Sequence, residues 1–313
     1  MIAVNSKSAI RYEFPLWLKS AKVDFRRNQL APVVLGEDQI FRIGEGGVFR
    51  RLRVLNTSFS SGTAGLSGWF FSEVQSLLAA LHRDESETIA RAAQLLAGQI
   101  RDDRLIHVFG VGGHSVIGCE EFFCRAGGLA CINPMFEASL LLSSGGMKST
   151  MIERVPGVGD KIVRSHAPEA GEVLIITSIY GMNAATIDAA LEAKRLGLKV
   201  IAITSRDHAS KTPADFVARH PSRKNLFDIA DLTIDNHVPH GDAIVPGEGS
   251  GQKIGATSTI LVSACVQWLC METVRACEAM GVPAPVWQSA NTVGGDERNA
   301  GYIRKYGGRV RCL

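Results

Sequence analysis

The chain has no Cys-x-x-Cys pair, no unbroken apolar run of membrane-spanning length and no long block of one charge sign. Each absence narrows the chemistry. Its seven cysteines (119, 124, 131, 265, 270, 277 and 312) lack zinc-ribbon or dithiol spacing. They lie mostly in apolar runs and read as buried, reduced thiols, the pattern of a cytoplasmic protein. No run of about 20 apolar residues is available to cross a bilayer, so no membrane is expected. The N-terminus lacks the apolar core and small-residue cleavage site of a signal peptide. A net charge of +3, scattered along the chain, argues against nucleic acid as a partner.

Two nucleotide signatures are missing as well. The glycines at 110, 112 and 113 do not complete G-x-G-x-x-G, because Ser115 stands at the third glycine's place. No acidic residue ends the following apolar stretch, 129–132, where a ribose partner belongs. No Gly-Lys-Ser/Thr follows either, which excludes a Walker loop. No cofactor is expected.

What is present is a chain of 313 residues, 46% hydrophobic, long enough to bury a large core. Residues 1–65 differ from the rest. They hold Arg11, Lys19, Lys22, Arg26, Arg27, Arg42, Arg50, Arg51 and Arg53 with little periodicity, and read as a basic, poorly ordered extension. Residues 66–313 read as one domain. Helical spacing of apolar residues runs from 69 to 97 with a break near 84–86, where Ser86 is placed to cap the second helix. Strands are expected at 105–109, 129–132, 173–176, 199–203 and 232–234. Helices are expected at 115–126, 184–196 and 257–280. Strands alternating with helices predict an α/β fold, a doubly wound parallel sheet of about five strands with ligands at its carboxyl edge.

Two strand–turn–helix junctions carry the chemistry. The first is Gly110-Val-Gly-Gly-His-Ser115, with Gly112, Gly113, His114 and Ser115 at a helix start. The second is Thr177-Ser-Ile-Tyr-Gly-Met-Asn183, with Ser178, Tyr180, Gly181 and Asn183 before the next helix. Hydroxyls and bare N–H groups at such starts suit a phosphate or another anion. Ser115 reads as a helix cap, a ligand contact, or both. Ser258 and Thr259 open the long third helix in the same way. Asn236-His-Val-Pro-His-Gly-Asp242 follows a strand, so His237, His240 and Asp242 read as ligand contacts or exposed loop groups. Their spacing matches no established zinc pattern, and no metal is expected.

The two junctions resemble a SIS (sugar isomerase) domain, as do Ala-Leu-Glu-Ala-Lys-Arg-Leu-Gly-Leu-Lys-Val-Ile-Ala-Ile-Thr-Ser at 190–205 and Asp-Ile-Ala-Asp-Leu-Thr-Ile-Asp at 228–235. Arg125-Ala-Gly-Gly-Leu, Ser149-Thr150 with Glu153-Arg154, and Gly294-Gly295-Asp296-Glu297 are similar to a phosphosugar-binding bacterial branch of that family. The resemblance spans about residues 69–313. It implies a flavodoxin-like three-layer sandwich, a sugar phosphate or other anionic sugar as ligand, and aldose–ketose isomerisation through an enediol. In that chemistry a Glu moves the proton and a His assists. The Glu candidates are Glu120, Glu121 and Glu153, with one of the first two expected to face the site. The His candidates are His114, His237 and His240, with His114 or His240 as the partner acid. SIS domains usually carry Ser-x-Ser-Gly in the second loop, and here Tyr180 replaces the second serine. A sulfonate, carboxylate or neutral sugar therefore stands beside phosphate as an option. A sugar sensor without chemistry and a sugar-phosphate lyase of the etherase type are the competing activities. The apolar helices at 69–97 and 257–280 imply a homodimer or homotetramer.

Overall fold

The chain divides into Met1–Ala64 and Gly65–Leu313. The computed structural model describes residues 65–313 apart from 248 and 250, so the expectation for residues 1–65 lies outside the described residues except at Gly65.

Two helices precede the sheet, α1 (Leu66–Asp84) and α2 (Ser86–Arg101). They are separated by Glu85 alone, so the expected break falls where the acidic cluster stands. Ser86 does not cap α2. It is the first helical residue, and its hydroxyl donates back to the His82 carbonyl. The parallel sheet holds β1 (Ile106–Gly110), β2 (Ile132–Pro134), β3 (Val173–Thr177), β4 (Lys199–Thr204) and β5 (Leu232–Asp235), in the order β2-β1-β3-β4-β5. Around it lie α3 (Ser115–Phe122), α4 (Gly146–Ile152), α5 (Gly159–Ser165), α6 (Ala184–Arg195) and α7 (Arg206–Lys211). An antiparallel hairpin of β6 (Ala243–Pro246) and β7 (Lys253–Ala256) follows, then α8 (Ser258–Ala279) and α9 (Gly295–Tyr306).

Period-two burial sorts the strands onto two cores, because successive side chains leave opposite faces of a strand. Val108, Val173, Ile175, Ile201, Ile203 and Ile234 join one core, with α2, α3 and α8 packed on it. Phe109, Leu174, Ile176, Val200 and Ala202 join the other, beneath α5 and α6. Two expectations shift. The helix after the first loop stops at Phe122, because Phe123 is extended and Cys124 takes φ +47°. The strand expected at 129–132 begins only at Ile132, paired with Ile106, while Leu129 bridges Val286.

By length and composition alone α8 is apolar enough to cross a membrane, although Gln267, Glu272, Arg275 and Glu278 interrupt it. Leu261, Val262, Cys265, Val266 and Leu269 on that helix are buried in the first core, which accounts for its hydropathy. Of the seven cysteines, all are free; 124 and 312 are exposed and the other five are buried.

The topology fixes the site. From β1 the chain crosses to β2 on one side, and then β3, β4 and β5 are laid down on the other. The strand order thus reverses between β1 and β3. Loops leaving the carboxyl ends of two such strands part to opposite sides and leave a crevice between them.

Candidate functional site

The loops after β1 and β3 meet at that reversal and are bonded to each other. Thr177 at the end of β3 donates its hydroxyl to the Ser115 carbonyl at 2.8 Å, and the Ile179 N–H donates to Ser115 Oγ at 3.1 Å. Ser115 is therefore a tie between the loops. It is the first residue of α3, and His114 occupies the cap position without a side-chain bond. Gly112 and Gly113 take φ of +64° and +47°, the left-handed turn that glycine adopts without strain.

Gly112 is also pressed from above. A Cβ there would fall on Glu153 Oε2, so only glycine leaves room for that carboxylate. Glu153 ends α4, and its backbone carbonyl accepts the Ala185 N–H at 3.0 Å. One of the open N–H groups at the start of α6 thus holds the residue in place, while its carboxylate lies over the first loop. Burial pushes the Glu153 carboxyl up to about 7, against the opposing pull of Arg154 and of the nearby Asn183 amide. Desolvation disfavours the charged form, so the group takes and releases a proton near neutrality.

In the second loop Ser178 is buried and accepts the Gly181 N–H at 3.0 Å, and its hydroxyl lies 3.5 Å from Thr186 Oγ1, where either group can donate. Gly181 takes φ +61°, and a Cβ there would strike Thr204 Oγ1. Asn183 caps α6 by backbone position only; its side chain makes no capping bond, and its Oδ1 is sealed from solvent without a partner among the described residues.

The remaining candidates disperse. His114 and Glu120 are exposed at and beyond the α3 start. Glu121 turns to α8, where Gln267 Nε2 donates to it at 2.6 Å and Arg125 pairs with it at 3.3 Å. His237, at φ +54°, lies 3.8 Å from Asp84 at the α1–α2 junction. Asp242 Oδ1 accepts the N–H groups of Thr257 and Ser258 at 2.9 and 2.8 Å, and its Oδ2 accepts the Ser258 hydroxyl at 2.7 Å. The start of α8, expected to receive a ligand at Ser258 and Thr259, is closed by the chain's own carboxylate; Ser258 is buried beneath it and Thr259 is exposed. His237, His240 and Asp242 do not converge, and among the described residues no group of three metal-ligating side chains forms.

One residue escaped the sequence reading. His208 in α7 stacks on Tyr180 with ring centroids 3.8 Å apart, and His240 stacks on its other side at 4.7 Å. The only sequence signal is Thr204-Ser205 at the end of a strand, with Ser205 capping α7 by accepting the His208 N–H at 3.0 Å.

A SIS domain model matches residues 69–205. A UPF0309 protein of Thermoanaerobacter pseudethanolicus is 38% identical over 248 residues, 78% of this chain and 98% of that one. One of Caldanaerobacter subterraneus subsp. tengcongensis is 37% identical over 247 residues with the same coverage of each. A solved phosphoheptose isomerase from Francisella tularensis aligns over 66% of this chain and 95% of its own, with TM-score 0.43 and 13% identity. The chain belongs to the UPF0309 family and carries a SIS domain.

Proposed function

We propose that the chain binds a phosphorylated or otherwise anionic sugar between its two loops and interconverts aldose and ketose forms through an enediol. Glu153 carries the reading: a carboxyl poised near neutrality, over the glycine turn of one loop and beside the helix start of the other. Such an isomerase must take a proton from the carbon next to the carbonyl and return it to the neighbouring carbon. A base with a pKa near the working pH serves both halves of that transfer. In this reading the anion rests on Ser178 and the first N–H groups of α6, where the helix dipole favours it. The sugar then extends toward Glu153, with exposed His114 at the rim. The SIS domain supports a sugar as the ligand.

The reading extends to a homo-oligomer. Leu142, Met147, Met151 and Val155 expose apolar side chains on the segment around Glu153, surface that a second copy covers. Light scattering that gives a monomer at micromolar concentration removes this part.

The central test is proton exchange. The protein is incubated in D2O with a panel of aldose and ketose phosphates and followed by NMR. Wild type is expected to exchange the C1 or C2 hydrogen and interconvert one pair, while Glu153→Gln binds the same sugar without exchange. Binding without exchange by wild type replaces the enzyme with a sensor. A cleaved product replaces the isomerase with a lyase.

A further inference from the structure

The loops that follow β3, β4 and β5 are joined by a stack of three rings that the proton transfer above does not use. Tyr180 from the first lies on His208 from the second, tilted by 24°, and His240 from the third lies on His208, tilted by 18°. His208 is fixed from several directions. Its Nδ1 accepts the Gly241 N–H at 3.2 Å, which leaves the proton of the neutral ring on Nε2. Ser205 caps its helix and donates its own hydroxyl to the Val238 carbonyl at 2.6 Å. Asp207, next in the chain, accepts the His240 N–H at 3.0 Å. Burial holds the imidazole down to about 4, reinforced by the charges of His240 and Arg219 and opposed by Asp207 and Asp242. The ring is thus neutral, and its stack on Tyr180 carries no cation.

Tyr180, by contrast, has an idle group. Its ring is half-buried against the core, yet its hydroxyl has no hydrogen-bond partner among the described residues and is not sealed from solvent. Burial raises its pKa, as do the neighbouring charges of Asp242 and Glu153, so it remains a neutral donor. Asp242, the larger of the two charges acting on that hydroxyl, also makes its surroundings unfavourable for a second anion.

We propose that Tyr180 is a specificity-determining donor to a neutral oxygen of the sugar, at the end away from its phosphate, and that His208 is the positioning residue that holds Tyr180 there. The inference rests on the sugar-phosphate reading of the site and narrows it to monophosphates with a hydroxyl or carbonyl at the far end. The tyrosine that replaces the usual serine then does not exclude phosphate. It selects the other end of the ligand.

Calorimetric titration tests this with matched pairs, fructose 6-phosphate against fructose 1,6-bisphosphate and ribulose 5-phosphate against ribulose 1,5-bisphosphate. The monophosphate of at least one pair is expected to bind at least ~10-fold more tightly than its bisphosphate. Tyr180→Phe, which keeps the ring, is expected to weaken that monophosphate by roughly 3- to 10-fold, the share of one hydrogen bond. His208→Ala is expected to weaken it as much, and His208→Phe, which restores a flat ring, to recover most of the loss. Adding His208→Ala to Tyr180→Phe is expected to cost little more, because the positioned hydroxyl is already gone. Bisphosphates binding as tightly as monophosphates, Tyr180→Phe matching wild type, or the two losses simply adding would each overturn the inference while leaving the sugar site intact. Wild type that binds no sugar phosphate at all removes the site reading itself.

Discussion

Helices α6 and α8 open with similar residues and end in opposite states. Each starts on a polar cap, Asn183 or Thr257, with small and hydroxyl residues in the first turn. Both read from the sequence as places for an anion. At α8 the anion is already present: Asp242 takes the N–H groups of Thr257 and Ser258 and the Ser258 hydroxyl. At α6 no side chain caps the helix; its start is met by main chain instead, the Glu153 carbonyl on Ala185 and the Arg219 segment bridged to Asn183. A helix start is a general anion site, and the chain's own side chains decide whether it is used for stability or left for a ligand. Asp242 reaches α8 from a turn at φ +66°, a local geometry that residue spacing does not announce.

The comparison is most sharply tested at Glu153. Glu153→Gln removes the base while keeping the size and the main-chain bond to α6, so proton exchange is expected to fall about 10²- to 10⁴-fold with little change in sugar affinity. Equal losses in both, by exchange NMR and calorimetry, would mean that the carboxylate serves binding. In wild type the exchange rate should rise with pH through about 7 as the carboxyl loses its proton; a rate flat from pH 5 to 9 would assign the base elsewhere.

Closing α8 has a smaller, structural consequence. Asp242→Ala strips the cap and is expected to cost about 1–2 kcal/mol, or a fall in Tm of roughly 2–8 °C for a domain of this size. Asn183→Ala, at the helix start without a side-chain cap, should cost less than half of that in the same thermal scan. Similar costs at the two positions would erase the distinction.

The smallest effect joins stability to pH. Because Glu153 holds its proton more tightly folded than unfolded, its contribution to stability is full below about pH 4.5 and is lost as pH rises through about 7. Glu153→Gln does not share that loss. Its Tm relative to wild type should therefore be higher at pH 8 than at pH 5, and the opposite order would contradict the buried placement of the carboxyl.

The sheet was legible because burial on both faces forces near-continuous apolar runs, and glycine or proline marks their ends. Strands β3 to β5 and helices α6 and α8 lie within a residue or two of their expected places. The edge was harder. Residues 129–132 are as apolar as a strand, but pairing with β1 starts only at Ile132, and Leu129 is buried by the Val286 segment instead. The hairpin β6–β7 gave no sequence expectation at all, since its short strands carry little periodicity.

At the site, the loops were legible as glycine and hydroxyl clusters after strands. The partners that come from far along the chain were not. Glu153 was one of three Glu candidates, and the proposal prefers it to Glu120 and Glu121 for its approach to Gly112, which the sequence does not announce. His208 sits in a short helix with no motif around it. Its importance arises from ring planes that only the folded chain brings together.

The double attachment of Glu153 has a consequence for how such a protein changes over generations. Its main chain plugs into the start of α6, and its side chain alone meets the glycine turn. The frame is therefore indifferent to what the side chain is, within the space available. On the proposed reading position 153 behaves as a socket: a lineage can exchange the side chain there, or retire its chemistry and keep a binding protein, without rebuilding the loops around it.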